Sequence, residues 1–220
     1  MIDRVTVPQN RLERRKLRTR TALISAAQSL LAAGNQNVPV LQITQLADVG
    51  MGSFYNHFET KEQLFEAAVD NALEALGDVL DALTDHLTDP AEIFAHSVRL
   101  TGRLHRLAPK MSKVVLSAAP GQMSSDRGLA ARARRDLASG IEAGRFSIPD
   151  LDLTLVVVSG AVVFLGQLLH DQPDRDDAAA SDRITEDLLR FVGVPDEEAR
   201  AICAQPLPDL QQLLADTAIC

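Results

Sequence analysis

The 220 residues, 46% of them hydrophobic, are enough to bury the core of one large or two small domains, which excludes a disordered chain. A net charge of −8 would by itself argue against a nucleic-acid partner, but the charge is unevenly placed. Residues 1–47 carry Arg4, Arg11, Arg14, Arg15, Lys16, Arg18 and Arg20 against Asp3 and Glu13, a net +5 that leaves −13 for the rest; such a basic head on an acidic body lets one end approach phosphates.

Leu23, Ile24, Ala27, Leu30 and Leu31 recur at helical spacing and predict a first helix. Gly34 stands where a C-terminal cap belongs, and Pro39 suits the first turn of a short second helix over 39–47, with Leu41, Ile43, Leu46 and Ala47 as candidate core residues. Asp48, Val49 and Gly50 form a tight turn before a third helix over 51–56, where Phe54 and Phe58 are spaced to face the core together. Thr60 reads as the N-cap of a long fourth helix, with Gln63 completing a capping box and Phe65, Val69, Ala72, Leu76, Val79 and Leu83 forming its apolar stripe. This helix is expected to join two domains, 1–66 and 67–220.

Helical periodicity continues over 93–107, 111–119 and 129–141, with breaks at Pro109 and at Pro120 with Gly121. A further helix is expected over 151–170, although Leu155 to Val158 would read as a strand in isolation. Its stretch from Leu153 to Leu169 holds no charged residue, but it is shorter than the roughly 20 residues of a membrane span and is flanked by Asp150, Asp152 and Asp171, so it reads as a buried helix. After an acidic loop over 171–177 a helix is expected from about Ser181, with Ile184, Leu188 and Phe191 or Val192 inward, and another opens at Pro195. The expected fold class is all-α, with no strand rhythm competing. Cys203 and Cys220 lack any CxxC spacing and suggest neither a disulfide framework nor a metal site. The N-terminus has no apolar run of a secretory signal, so the expected compartment is the cytoplasm.

The segment Ala47-Asp48-Val49-Gly50-Met51-Gly52-Ser53-Phe54-Tyr55-Asn56-His57-Phe58, followed by Lys61, carries the most specific arrangement. On a helix, Gly50, Ser53 and His57 fall on one stripe with Met51, Gly52 and Asn56 beside it, while Phe54 and Phe58 point inward. A helix entering a major groove needs this split, because small residues at its start let the backbone come close to phosphates and bases. Here the chain resembles the TetR (tetracycline-repressor) family, whose pattern at this place runs Ala-Gly-Val-Ser-x-Gly-Thr-Leu-Tyr-x-His-Phe with a Lys three residues on. Ala47, Val49, Gly52, Tyr55, His57, Phe58 and Lys61 agree outright, and Ala26, Ala27, Gly34 and Ile43 sit at further landmarks. The departures are Val38-Pro39 in place of Thr-Thr, Asp48 in place of the turn glycine and Gly50 in place of the capping serine.

The resemblance covers about residues 20–67 and implies a helix-turn-helix head that binds a near-palindromic operator. It places Met51, Gly52 and Ser53 nearest to base edges and Gly50, Tyr55, Asn56, His57 and Lys61 at the phosphates. Arg18 and Arg20 of the basic arm, and Gln42 and Thr44 of the second helix, complete the expected DNA contacts. The arm reads either as a strand or helix extension on phosphate or minor groove, or as a solvated tail.

For the second portion the resemblance implies a small-molecule effector site and a homodimer interface on the last two long helices. Phe94, Leu100, Leu104, Met111, Val115, Met123 and Phe164 are the candidate pocket residues, each more simply explained as plain core. Val156, Gly160, Val163, Gln167, Ile184 and Leu188 are the candidate interface residues. His86, His96 and His105 could bind metal or orient a ligand, but they lack a compact metal-binding pairing and read first as surface or satisfied core histidines. No nucleophile elbow or phosphate loop is present and no cofactor is suggested, so an enzyme is not expected. The reading is thus a transcriptional regulator, most simply a repressor released by its effector; the alternative is a helical module of the same fold that has lost DNA recognition.

Overall fold

The computed structural model describes residues 11–118, 128–208 and 210; Arg4, Pro120, Gly121 and Met123 lie outside the described residues. The described residues form helices and connecting turns, and the chain divides into two compact units, residues 1–71 and 72–220.

The first unit holds α1 (Arg11–Ala32), α2 (Val40–Leu46), α3 (Met51–Tyr55) and the start of α4 (Lys61–Thr84). Its core is Leu23, Ala27, Ile43, Phe54 and Leu64, all fully buried, with Leu30, Leu31 and Phe58 around them. The part of the basic arm from Arg11 to Arg20 is a helical extension of α1 rather than a strand, and residues 11–18 are exposed along it.

α1 ends in a Schellman motif: Asn35 N–H donates to the Leu30 carbonyl, Gly34 N–H to that of Leu31, and Gly34 takes φ +68°. α2 ends the same way, with Val49 N–H on Thr44 and Asp48 N–H on Gln45, but the left-handed position is held by Asp48 at φ +52°. Asp48 therefore closes α2 and does not cap α3, whose N-cap is Gly50 without a side-chain bond. Pro39 also sits one place earlier than expected, as the extended N-cap of α2. At α4, Gln63 N–H donates to Thr60 Oγ1 at 3.1 Å, while Gln63 Oε1 accepts from Glu59 N–H at 3.0 Å. The capping box is present with its return bond moved back one residue.

The second unit contains the rest of α4, α5 (Pro90–Leu107), α6 (Pro109–Leu116), α7 (Gly128–Glu142), α8 (Leu151–Asp171), α9 (Asp177–Phe191) and α10 (Asp196–Cys203). α5 is its axis, packed against α6, α7, α8, α9 and α10. Asp89 caps α5 by accepting from Ala91 N–H at 3.0 Å, and its carboxylate is gripped by both Arg145 donors at 2.8 Å. Those two bonds hold the Asp89 carboxyl below the usual carboxylate range, against its partial burial.

Phe94, Leu137, Leu155, Leu189 and Val192 form the centre of the core, with the Phe94 and Phe146 rings edge to face at 5.8 Å. Arg99 is buried among these helices because its charge is matched: Nε donates to Asp182 at 2.7 Å and Nη1 to the Gln205 carbonyl at 2.9 Å.

α9 starts at Asp177 rather than near Ser181, because Asp176 caps it by accepting from Ala179 N–H. Ser181 is consequently interior and fully buried, pressed on Gly102 of α5 so closely that a Cβ at 102 would fall 2.1 Å from its Oγ. Leu155 to Val158 is helical despite its β-branched run.

Candidate nucleic-acid interface and ligand cavity

α3 is fixed by its aromatic side and free on the other. Phe54 and Phe58 are buried with ring centroids 6.1 Å apart, while Met51, Gly52, Tyr55 and Asn56 are exposed and Ser53 and His57 half-buried. A Cβ added at Gly50 or Gly52 would meet nothing within 4 Å, and Gly50 has an ordinary φ of −72°. Neither internal crowding at Gly50 and Gly52 nor the backbone conformation at Gly50 calls for glycine there.

The basic side chains around this face are partly organised. The Arg20 guanidinium lies over the Phe58 ring at 5.1 Å. Burial, followed by Arg20 and Lys16, lowers the His57 pKa below the usual histidine value. Lys61 is half-buried, and its Nζ donates to Asn37 Oδ1 at 3.4 Å and the Val38 carbonyl at 3.5 Å, which ties α4 to the entry of α2. Arg18 and Gln42 are exposed.

α2 is turned differently from its expected setting. Thr44 is 1% exposed, and its hydroxyl donates to the Leu41 carbonyl at 3.0 Å and contacts Met51 Sδ at 3.7 Å, so it is not free to meet a phosphate. Leu41 and Leu46, expected inward, are 52% and 54% exposed. A seven-residue helix has room for one inward turn, here Ile43 and Thr44, and the local hydroxyl bond satisfies the threonine that enters it.

The second unit holds a partly open cavity of about 130 Å³ between α4, α5, α6, α7 and α8. Phe94, Leu104, Met111 and Val115 line it. Leu100 is fully buried but outside the cavity wall, and Phe164 is 76% exposed, on the face of α8 turned away from the core.

The wall also includes a polar group that hydrophobicity did not reveal: Asp81, Arg132 and Asp136. Arg132 Nε donates to Asp81 Oδ2 at 2.8 Å, and its other nitrogens reach Glu74 at 2.9 Å and Asp78 at 2.5 Å. Gly77 makes room for this guanidinium, since a Cβ there would fall 2.4 Å from Nη1. Arg135 donates to Asp81 at 2.8 Å and to Oδ1 of Asp136 at 2.9 Å. Burial alone would raise both carboxyl pKa values: at Asp81 the bonds from Arg135 and Arg132 overcome it and the pKa is lowered, whereas at Asp136 burial prevails and the pKa is raised. The site thus joins an ionised carboxylate to one that more readily holds a proton.

Of the expected histidines, His86 is exposed and His96 is buried with Nδ1 2.9 Å from the Glu92 carbonyl. His105 is buried in the cavity wall.

α8 is long and apolar enough to cross a membrane by length and composition, with about a third of its most apolar stretch buried. Thr154, Leu155, Val158, Leu165, Gly166 and Leu169 pack inward. Leu153, Val156 and Phe164 are 65%, 68% and 76% exposed and share a stripe with Gly160, where a Cβ would meet nothing, and exposed Gln167. The helix is therefore buried on one side, not all round. Among the other expected interface residues, Val163 is half-buried and lines the cavity, Ile184 packs against the core, and Leu188, 4% exposed, belongs to the core of its own chain. Leu188 is unavailable to a partner because α9 turns it toward α5.

The profile of bacterial regulatory proteins of the tetR family matches residues 23–68, and that of the tetracyclin repressor-like C-terminal domain matches residues 89–205. The crystal structure of RolR without ligand shares 37% identity at a TM-score of 0.72, over 86% of this chain and 98% of that one. RolR in complex with resorcinol gives 37% and 0.71, over 90% and 99%. The fatty acid degradation regulator FadR from Bacillus halodurans, at 19% identity and a TM-score of 0.66 over 77% and 94%, shares the fold. No curated protein matches the chain. The chain belongs to the TetR family: it is a ligand-responsive, DNA-binding transcriptional regulator.

Proposed function

We propose that this regulator is a cytoplasmic homodimeric repressor that holds a near-palindromic operator until a compact hydroxylated aromatic molecule enters its second unit. The observation that carries the effector class is the cavity: at about 130 Å³ it is close to the roughly 150 Å³ apolar cavity known to hold benzene. Its apolar wall suits a ring, and Asp81 and Asp136 offer acceptors for hydroxyl groups, with Oδ2 of Asp136 outside the Arg135 bonds. That RolR, 37% identical, has been crystallised with resorcinol supports the same class of ligand here.

On the DNA side, Met51, Gly52 and Ser53 are the residues proposed to meet base edges. Arg18, Arg20, Gln42, Gly50, Tyr55, Asn56, His57 and Lys61 are proposed to hold phosphates and sugars, and Thr44 is not among them. Open space over Gly50 and Gly52 supports this assignment. The dimer is proposed to form on the exposed stripe of α8 from Leu153 through Val156, Gly160 and Phe164 to Gln167, whose i, i+3, i+7, i+11, i+14 spacing presents one face to a partner helix.

Effector and operator are linked through two states of the dimer, and the effector weakens DNA binding only by its preference for the state that does not fit the operator. Isothermal titration of the full-length protein with resorcinol, and with stearate as a long apolar control, tests the class. Binding of resorcinol alone is the expected result; binding of stearate alone would refute the compact-ring reading.

A further inference from the structure

Among the described residues, one buried side-chain polar atom has no hydrogen-bond partner, Nε2 of His105. His105 is 4% exposed and stands near the end of α5, in the cavity wall beside Ala108 and Ser112 of the α6 side and Val162 of α8. The rest of the ring is held. Nδ1 lies 2.6 Å from Ser112 Oγ, which lies 2.8 Å from Nε2 of His170. Gly166 is flat against the ring, since a Cβ there would fall 2.3 Å from Cε1. A buried nitrogen left without a partner bears its full desolvation cost, and such an atom in a ligand cavity is resolved when a ligand supplies the bond.

The hydrogens along this chain of three groups follow one of two orders, set by the His105 tautomer. Burial, helped by the neighbouring His170, pushes the His105 pKa down to about 4, so near neutral pH the ring carries one proton. The Val162 backbone opposes this shift by favouring the charged ring, without bonding Nε2 in hydrogen-bond geometry. With the proton on Nε2, Nδ1 accepts from the single hydroxyl hydrogen of Ser112, and Ser112 Oγ accepts from Nε2–H of His170. In the reverse order, Nδ1–H donates to Ser112, Ser112 donates to His170 Nε2, and Nε2 of His105 is left as an acceptor.

Building on the effector cavity argued above, we propose that His105 is a ligand-binding residue whose Nε2–H donates to an uncharged oxygen of the effector, a hydroxyl or carbonyl, while Ser112 and His170 position its ring and fix its tautomer. A neutral imidazole gives no ion pair, so this atom does not select carboxylates or phosphates. It complements Asp81 and Asp136, which accept where His105 donates, and a ring with two hydroxyl groups satisfies both kinds of partner.

The test is calorimetric titration of the full-length protein with resorcinol and with benzene, comparing the unmodified chain with His105→Phe, which keeps a flat ring against Gly166. Loss of one hydrogen bond predicts resorcinol binding weakened about tenfold by His105→Phe, with benzene binding unchanged. Ser112→Ala leaves the ring in place but frees its tautomer; a smaller, hydroxyl-selective loss is expected, and this variant carries the test if His105→Phe does not fold. Resorcinol binding unaltered in a folded His105→Phe, or unaltered in Ser112→Ala when that variant carries the test, overturns the role of His105 alone. An unmodified chain that binds neither compound overturns the aromatic-effector reading and this inference with it.

Discussion

The guanidinium of Arg20 lies over the ring of Phe58, 5.1 Å from its centroid, so a cation of the basic arm is held by the aromatic side chain that closes the core beside α3. The same guanidinium depresses the pKa of His57, after burial and ahead of Lys16. Arg20→Ala should therefore raise the His57 pKa, measured by NMR titration, and cost roughly 0.5–1 kcal/mol of stability from the lost cation–π contact. It should also flatten the salt dependence of DNA binding by about one unit if Arg20 meets a phosphate. An unmoved His57 titration would show that the two side chains do not share this arrangement in solution.

Gly52 separates folding from DNA binding. A methyl group at this helical position meets nothing within 4 Å, and replacing glycine by alanine in a helix is worth about 0.5–1 kcal/mol. Gly52→Ala is expected to raise the chemical-denaturation midpoint while weakening operator binding, the added Cβ standing where the backbone must approach the groove. Unchanged operator affinity in the stabilised variant would take Gly52 out of the interface.

The dimer prediction rests on side chains that the chain itself leaves uncovered. Val156→Asp or Phe164→Asp, at residues 68% and 76% exposed, should leave the helical content intact and shift sedimentation from dimer to monomer. Leu188→Asp, by contrast, should unfold the second unit, because a charge would enter its core. Dimers that persist in both α8 variants would place the interface on another face.

Acid stability follows from His105. Its folded pKa of about 4 lies below the unfolded value near 6.5, so the unfolded chain binds the extra proton in between, and stability falls as pH drops through that window. The full effect is about 3 kcal/mol by the free energy of a pKa unit. His96 and His170, also lowered first by burial, act in the same sense, and Asp136, raised by burial, acts in the opposite one. Urea melts from pH 7 to pH 4.5 should show the decline, and His105→Phe should reduce it. A pH-independent midpoint in the unmodified chain would contradict the buried neutral ring.

The head of the molecule was largely legible because its boundaries are written in short-range chemistry. Gly34 in a Schellman motif, Thr60 with Gln63, and Phe54 with Phe58 each depend on residues within a few positions. Where a short helix offered two apolar faces, periodicity misjudged it: Leu41 and Leu46 face out, and Thr44 faces in because its hydroxyl bonds within the helix. Asp176 lies inside the acidic run Asp174 to Asp177, which hid its role as the cap of α9.

The cavity was harder, since apolarity marks a residue as fit for burial without saying what covers it. Phe164 faces outward and Leu100 lies in solid core for that reason. Asp81, Arg132 and Asp136 were missed because their meeting depends on the packing of α4 against α7, more than 50 residues apart in sequence. The i, i+4 spacing of Arg132 and Asp136 was the one local signal there. His105 stood out only as one of three scattered histidines, because its partner Ser112 lies beyond the Pro109 break and His170 is 58 residues further on.

Fluorescence anisotropy of the DNA upstream of this protein's own gene, titrated with the full-length protein in excess unrelated DNA and then with resorcinol, shows whether the effector releases the operator. A repressor released by its effector should give tight, competitor-resistant binding that resorcinol reverses. Tight binding that resorcinol leaves untouched, at concentrations where calorimetry shows the cavity filled, would contradict that reading.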